Sequence, residues 1–228
     1  MKQFKETLFV EQARLTPPQR EQLDLLRIVM QCLRQAGEET GALPCEEVHA
    51  YGHCLLGATA MLDVLPQIGI RGAQPLRCGL FFAGEKAGRI NMLMIGHPDA
   101  PPVSTLWNAH MGVRSEHLFC DPTFGQLREK WNTAPDIAVF EMKRDAGQPI
   151  QLPGRHVVNE IAMGSWNDSR CSFHASLFRL PPDVERATRE WEGRPDARPE
   201  RRAGLVARTL ELVRKRRPDI PLRNAAAA

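Results

Sequence analysis

The chain has 228 residues, 43% hydrophobic and 25% charged, with a formal net charge of +3; this is the balance of an ordinary globular domain able to bury a sizeable core. So mild a positive excess gives no argument for nucleic acid as a partner. No run approaches the roughly 18 apolar residues of a membrane span and MKQFKETLFVEQARLTPPQR has no signal-peptide pattern, so the expectation is a cytoplasmic protein with no membrane partner.

Residues 1–15 read as an N-terminal arm. From Pro17 to Gly37, Leu23, Leu25, Leu26, Val29, Met30 and Leu33 recur at three- and four-residue spacings, which predicts an amphipathic helix ending at Gly37. After a break at Gly41 to Pro44, a second helix is predicted from about Cys54 to Leu65, with Gly69 closing the unit. Strand candidates follow at Leu76 to Phe82, Arg89 to Ile95, Thr105 to Val113, Leu118 to Asp121, Ile137 to Met142 and Cys171 to Leu180. The Gly84 to Gly88 link joins the first two as a hairpin, so the sheet is expected to be mainly antiparallel. Ser165 to Asp168 reads as a loop over a groove, with Trp166 against substrate. From Asp183 onward the pattern is charged and helical, with a thin apolar face of Leu205, Leu210, Leu212 and Val213. Helices followed by antiparallel strands make an α+β protein. Its main domain spans residues 16–182, with N-terminal helices packed on the sheet, and a helical, Arg-rich extension occupies 183–228.

The stretch NAHMGVRSEHLFCDPTFG, residues 108–125, carries the chemistry. With a turn around Arg114 to His117, a symmetric hairpin sets Met111 against Cys120 and His110 against Asp121, where directly opposed Cβ atoms are about 4.5–5.5 Å apart. Met111, Val113, Leu118 and Cys120 then form an apolar face, and His110 and Asp121 share the other. A carboxylate beside an imidazole fixes its tautomer and favours its charged form. The nucleophile such a pair would serve is Cys54 in AYGHCLLGATAML. It opens the second helix, where unsatisfied N–H groups, the helix dipole and a nearby imidazolium stabilise a thiolate. Cys32 is mid-helix, Cys45 lies in a loop, and Cys78, Cys120 and Cys171 lie in strands. With no C-x-x-C pair, neither a disulfide framework nor a zinc ribbon is supported.

These features resemble the transglutaminase-like branch of the papain-like thiol enzymes over residues 51–126. The matching positions are Cys54 opening a helix, Gly69-Ile70 beyond it, His110 with Val113 on a strand, and Asp121-Pro122-Thr123 after a short strand. The resemblance implies a papain-like domain in which Cys54 attacks an amide or ester carbonyl. It implies further that His110 shuttles the proton, Asp121 orients His110, and a thioacyl-enzyme passes its acyl group to water or an amine. The chain departs from the family's pattern in a short His-to-Asp interval, in Gly112 where an aromatic residue often follows the His, and in lacking a glutamine before Cys54. One oxyanion donor is then the backbone N–H of Cys54, with Tyr51, Trp107 or Asn108 as candidates for the other and His53 lining the site.

The reading is therefore a thiol-dependent amide hydrolase acting on a peptide or protein amide through Cys54, His110 and Asp121. Transfer of the acyl group to an amine uses the same residues. A non-catalytic binding or regulatory protein on the same fold is the alternative from a different class. Metal chemistry has one foothold, His49 and His53 at i, i+4, but Gly52 and a helix starting at Cys54 put that pair in a loop, where the spacing loses its meaning. No phosphate-binding loop or dinucleotide fingerprint is present. Neither a metal nor another cofactor is expected.

Overall fold

The structure, a computed structural model, describes residues 4–43, 53–86, 88–100, 107–125, 134–143, 147–167 and 171–221. Among the described residues, four helices and nine strands make an α+β protein with a mixed sheet. The helices are α1 (Pro17–Thr40), α2 (His53–Val64), α3 (Pro182–Ala187) and α4 (Pro199–Arg216). The strands are β1 (Glu6–Phe9), β2 (Gln74–Lys86), β3 (Arg89–Ile95), β4 (His110–Ser115), β5 (Leu118–Asp121), β6 (Ile137–Glu141), β7 (Gln148–Gln151), β8 (Val157–Asn167) and β9 (Ser172–Phe178). Their order is β1-β6-β5-β4-β2-β9-β8-β7, with β3 also paired to β2.

Helix α1 starts at Thr16, whose side chain and that of Gln19 form a capping box ahead of Pro17 and Pro18. It does not end at Gly37, as its sequence suggests, but runs to Thr40 and stops at Gly41, which takes the left-handed conformation at φ 68°. Gly37 serves a different purpose. A Cβ there would lie 2.5 Å from the Leu43 Cβ, so its absence lets Leu43 fold back onto the helix and donate its N–H to the Gly37 carbonyl at 3.0 Å. Helix α2 is apolar all round, with every residue from Cys54 to Met61 buried, as befits a helix enclosed on all sides. It ends in a 3-10 turn over Leu65–Ile68, closed by Gly69 at φ 90°.

One face of the sheet packs on the helices. Met111, Val113, Leu118, Cys120, Ile137 and Val139 join α1, α2 and α4 in a single core. Helix α4 belongs to this core through Leu205, Leu212 and Val213, and Arg202 and Arg208 pair with Asp63 of α2 and Glu39 of α1. Strand β1 pairs in parallel with β6, so β1 and α4 are built into the same body and the sheet is not purely antiparallel.

The other face curls around a second, aromatic core. Lys143 donates its N–H to the Ile161 carbonyl at 2.9 Å, and Gly164 leaves room for the Phe9 ring, which a Cβ would meet at 2.2 Å. Between these strands lie Phe82, Phe119, Phe124, Phe140 and Phe173. Trp166 is part of this core and not of a loop over a groove. It sits in β8, stacked on Phe173 at 5.0 Å between ring centroids and edge-on to Phe124 at 6.0 Å. Among the described residues, no helix is long and apolar enough to cross a membrane.

Candidate functional site

Strands β4 and β5 form the hairpin foreseen, but two residues tighter. Val113 pairs with Cys120 and Ser115 with Leu118, leaving Glu116 and His117 as a two-residue turn. Glu116 makes this possible by taking a left-handed conformation at φ 53°. Met111 therefore does not oppose Cys120, nor His110 Asp121. Because side chains alternate with a period of two, the shift of two residues keeps every side chain on its face. His110 and Asp121 become diagonal neighbours, and His110 Nε2 still lies 2.7 Å from Asp121 Oδ2.

Both side chains of this pair are fully buried. The second carboxylate oxygen, Oδ1, accepts the backbone N–H of Thr123 at 2.9 Å and its hydroxyl at 3.0 Å. Asp121-Pro122-Thr123 is thus a closed turn in which both carboxylate oxygens are used and the orientation of the acid is fixed. Burial opposes a charge on His110. The charge of Asp121 and its hydrogen bond outweigh that penalty, a hydrogen bond with Cys54 adds to them, and the ring is raised from 6.5 to about 10. With Nε2 held by the carboxylate, Nδ1 is the ring nitrogen left for another partner.

Cys54 is the second residue of α2 and only 4% exposed. Its backbone N–H is one of the first four of the helix, which have no intrahelical partner. Three residues on, and so on the same helical face, Gly57 meets the Asp121-Pro122-Thr123 turn. A Cβ there would lie 2.4 Å from Thr123 Cγ2 and 3.5 Å from Pro122 Cγ. This close approach holds the start of α2, with Cys54, against the turn that carries Asp121.

Gly112 has a comparable explanation. A Cβ would meet Phe119 Cζ at 2.3 Å and the Cys120 carbonyl at 2.7 Å, and the Phe119 ring lies 6.3 Å from the His110 ring. The aromatic neighbour of the histidine comes from the adjoining strand instead of from two residues along its own. Cys78 lies directly opposite His110 on β2, and burial pushes its thiol well above the ordinary range, with the Asp121 and Cys54 charges adding to the effect. Burial likewise raises Cys120, and lifts Cys32 to about 11. Those three thiols are held in their inert, protonated form.

The oxyanion candidates divide. Tyr51 lies outside the described residues, as do His49 and Cys45. His53 is the first residue of α2 and half-buried. Trp107 packs on Ala109, Leu180 and Val184, with its indole nitrogen buried. Asn108 is committed elsewhere, since its Oδ1 accepts the Gly96 N–H at 2.8 Å and its Nδ2 donates to the His97 carbonyl at 3.0 Å. Gly57 and Phe119 are the site residues that reading the sequence did not single out, and Thr123, named there within D-P-T, was given no part of its own. The T of D-P-T and the G three residues after the cysteine were the available signals.

Comparison with protein-family models, with curated proteins and with solved structures finds no match to this chain.

Proposed function

We propose that this chain is a cytoplasmic, papain-like, thiol-dependent amide hydrolase. The observation that carries the reading is one continuous chain of groups: Cys54 at the start of α2, hydrogen-bonded to His110, whose Nε2 lies 2.7 Å from an Asp121 already fixed by Thr123. Nucleophile, base and orienter in contact are the signature of an activated thiol. Cys32, Cys54, Cys78 and Cys120 are in no disulfide, which suits a reducing compartment.

In the proposed reaction the Cys54 thiol gives its proton to His110 Nδ1 and the sulfur attacks the amide carbonyl of a peptide or protein. The developing oxyanion meets the backbone N–H of Cys54 at the positive end of α2. His110 passes its proton to the leaving amine, the C–N bond breaks, and a thioester remains on Cys54. Water then attacks the thioester carbonyl, giving a proton to His110, and the thiol departs with a proton returned from the ring. An amine in place of water turns the same steps into acyl transfer. Asp121 holds the ring throughout.

The near-complete burial of Cys54, His110 and Asp121 favours one other reading, a binding protein that keeps the constellation without turnover. The pH dependence of iodoacetamide labelling at each cysteine, followed by mass spectrometry in the wild type and in His110→Ala, separates the two. Rapid labelling of Cys54 below pH 7 that slows in the variant supports the hydrolase. Cysteines that all behave as ordinary or buried thiols support the binding protein.

A further inference from the structure

A second group of reactive side chains lies outside the triad and belongs to no step above. After β3, Gly96 turns the chain at φ 85° and His97-Pro98-Asp99 follows; after β7, a 3-10 turn over Pro153–Arg155 leads to His156. One ligand-capable atom from each of His97, Asp99 and His156 lies within 4.8 Å of the others, and the two imidazole rings meet edge to face at 5.3 Å. We propose that these three residues form a binding site for a divalent transition-metal ion of the zinc class. The proposal rests on this cluster alone and does not depend on the hydrolase reading.

The loop carrying His156 is built against its conformational preference. Gly154 and Arg155 take consecutive left-handed conformations, at φ 75° and 67°, and for arginine that is a disfavoured state. This conformation brings Pro153 and His156 against the loop of Asp99. A Cβ on Gly154 would sit 3.0 Å from Asp99 Oδ2 and 3.2 Å from the His156 ring. Unfavourable backbone spent on gathering two histidines and a carboxylate is the pattern of a ligand site.

The hydrogen bonds supply the surrounding shell. His97 Nδ1 accepts the Asp99 backbone N–H at 3.1 Å, so the ring proton sits on Nε2, which donates to the Pro153 carbonyl at 3.0 Å. That is the tautomer a metal needs. Nδ1 carries the lone pair, which an ion would take in place of the Asp99 N–H, and the opposite N–H rests on a backbone carbonyl, as it does for most metal-bound histidines. His156 Nε2 lies 2.8 Å from Asp99 Oδ2, and an ion entering there replaces the shared proton, which the ring carries on Nδ1 instead. Asn108 braces the arrangement through its bonds to the Gly96 N–H and the His97 carbonyl. Ligand atoms around a tetrahedral zinc at about 2.0–2.1 Å are roughly 3.3 Å apart, so modest side-chain rotations in these exposed loops suffice to close the site.

The donor set decides the class of ion. Two imidazoles and one carboxylate suit zinc, cobalt, nickel and iron, whereas calcium and magnesium prefer oxygen alone. Three protein ligands leave one or more positions for water.

Titration of the metal-free full chain with Co2+, followed by visible and near-ultraviolet absorption, tests the proposal. The expected result is one Co2+ per chain, with weak visible bands and no thiolate-to-cobalt charge-transfer band, unchanged in Cys54→Ala. The His97→Ala/His156→Ala double variant weakens binding by at least about 100-fold, since loss of even an outer-shell partner costs about 10–100-fold. Asp99→Asn, at an exposed side chain, should weaken it too and serves if the double variant fails to fold. A charge-transfer band, binding lost in Cys54→Ala, affinity unchanged in the two loop variants, or no binding at millimolar Co2+ would each overturn the site.

Discussion

Replacing Asp121 by Asn tests the proposed chemistry at a single atom. Thr123 donates both its N–H and its hydroxyl to Oδ1, so the amide oxygen of an Asn takes that place and its Nδ2 faces His110. Nε2 must then accept a proton instead of donating one, and the ring proton moves to Nδ1, the atom that has to receive the proton of Cys54. The carboxylate charge that outweighs burial is lost as well, and the ring falls from about 10 toward its ordinary 6.5. A difference of about 3.5 pH units corresponds to about 3 × 10³-fold, or ~5 kcal/mol, as the upper bound on the loss of thiolate–imidazolium pair. The assay is the second-order rate of Cys54 alkylation against pH, read peptide by peptide, with circular dichroism to establish that the fold is retained. A slowing of about 10²- to 10³-fold near pH 7 is expected. A folded Asp121→Asn protein in which Cys54 reacts at the wild-type rate would refute both the tautomer argument and the role given to the acid.

Three further outcomes are expected. Gly57→Ala should lose about 1–3 kcal/mol in urea denaturation despite the better helix propensity of Ala, because its Cβ meets Thr123 at 2.4 Å, and Cys54 labelling should slow as the turn is displaced. Since the folded state raises His110, the stability it contributes is fully present below about pH 6.5 and is lost as pH rises toward about 10; urea midpoints across that range should fall in the wild type and stay flatter in Asp121→Asn. Leu212→Ala, at a buried position of α4 packed in the helical core, should cost about 2–5 kcal/mol, and a change below about 0.5 kcal/mol would show that α4 is not part of the folding unit.

What the sequence disclosed follows its local signals. Strands β3 and β5 have the bounds their turn residues suggest, and α2 begins within one residue of its apolar run. The shared side of His110 and Asp121 is legible because parity survives a register error of two; the register itself is not, since it turns on a left-handed Glu116 that no Gly or Asn announces. Strand β8 is hidden by an irregularity between Glu160 and Ala162 that breaks its alternation. It is hidden also by Glu160 itself, a buried acid whose partners Lys143 and Ser176 stand 17 and 16 residues away. Strand β1 is four residues long and pairs with a strand far along the chain, a contact that local pattern does not encode. At Gly37 and Gly57 the reason for glycine lies in the partner that approaches it, and only the folded chain identifies that partner.

The tight hairpin from His110 to Thr123 has a consequence for how this site can change. The proposed base, its orienting acid, the hydroxyl that fixes the acid and the aromatic ring beside the base all travel on one short, self-paired segment. Grafted onto another two-layer scaffold, that segment would carry most of the machinery as a cassette. The host would need to contribute only a helix start bearing a cysteine and, one turn later, a residue without a side chain.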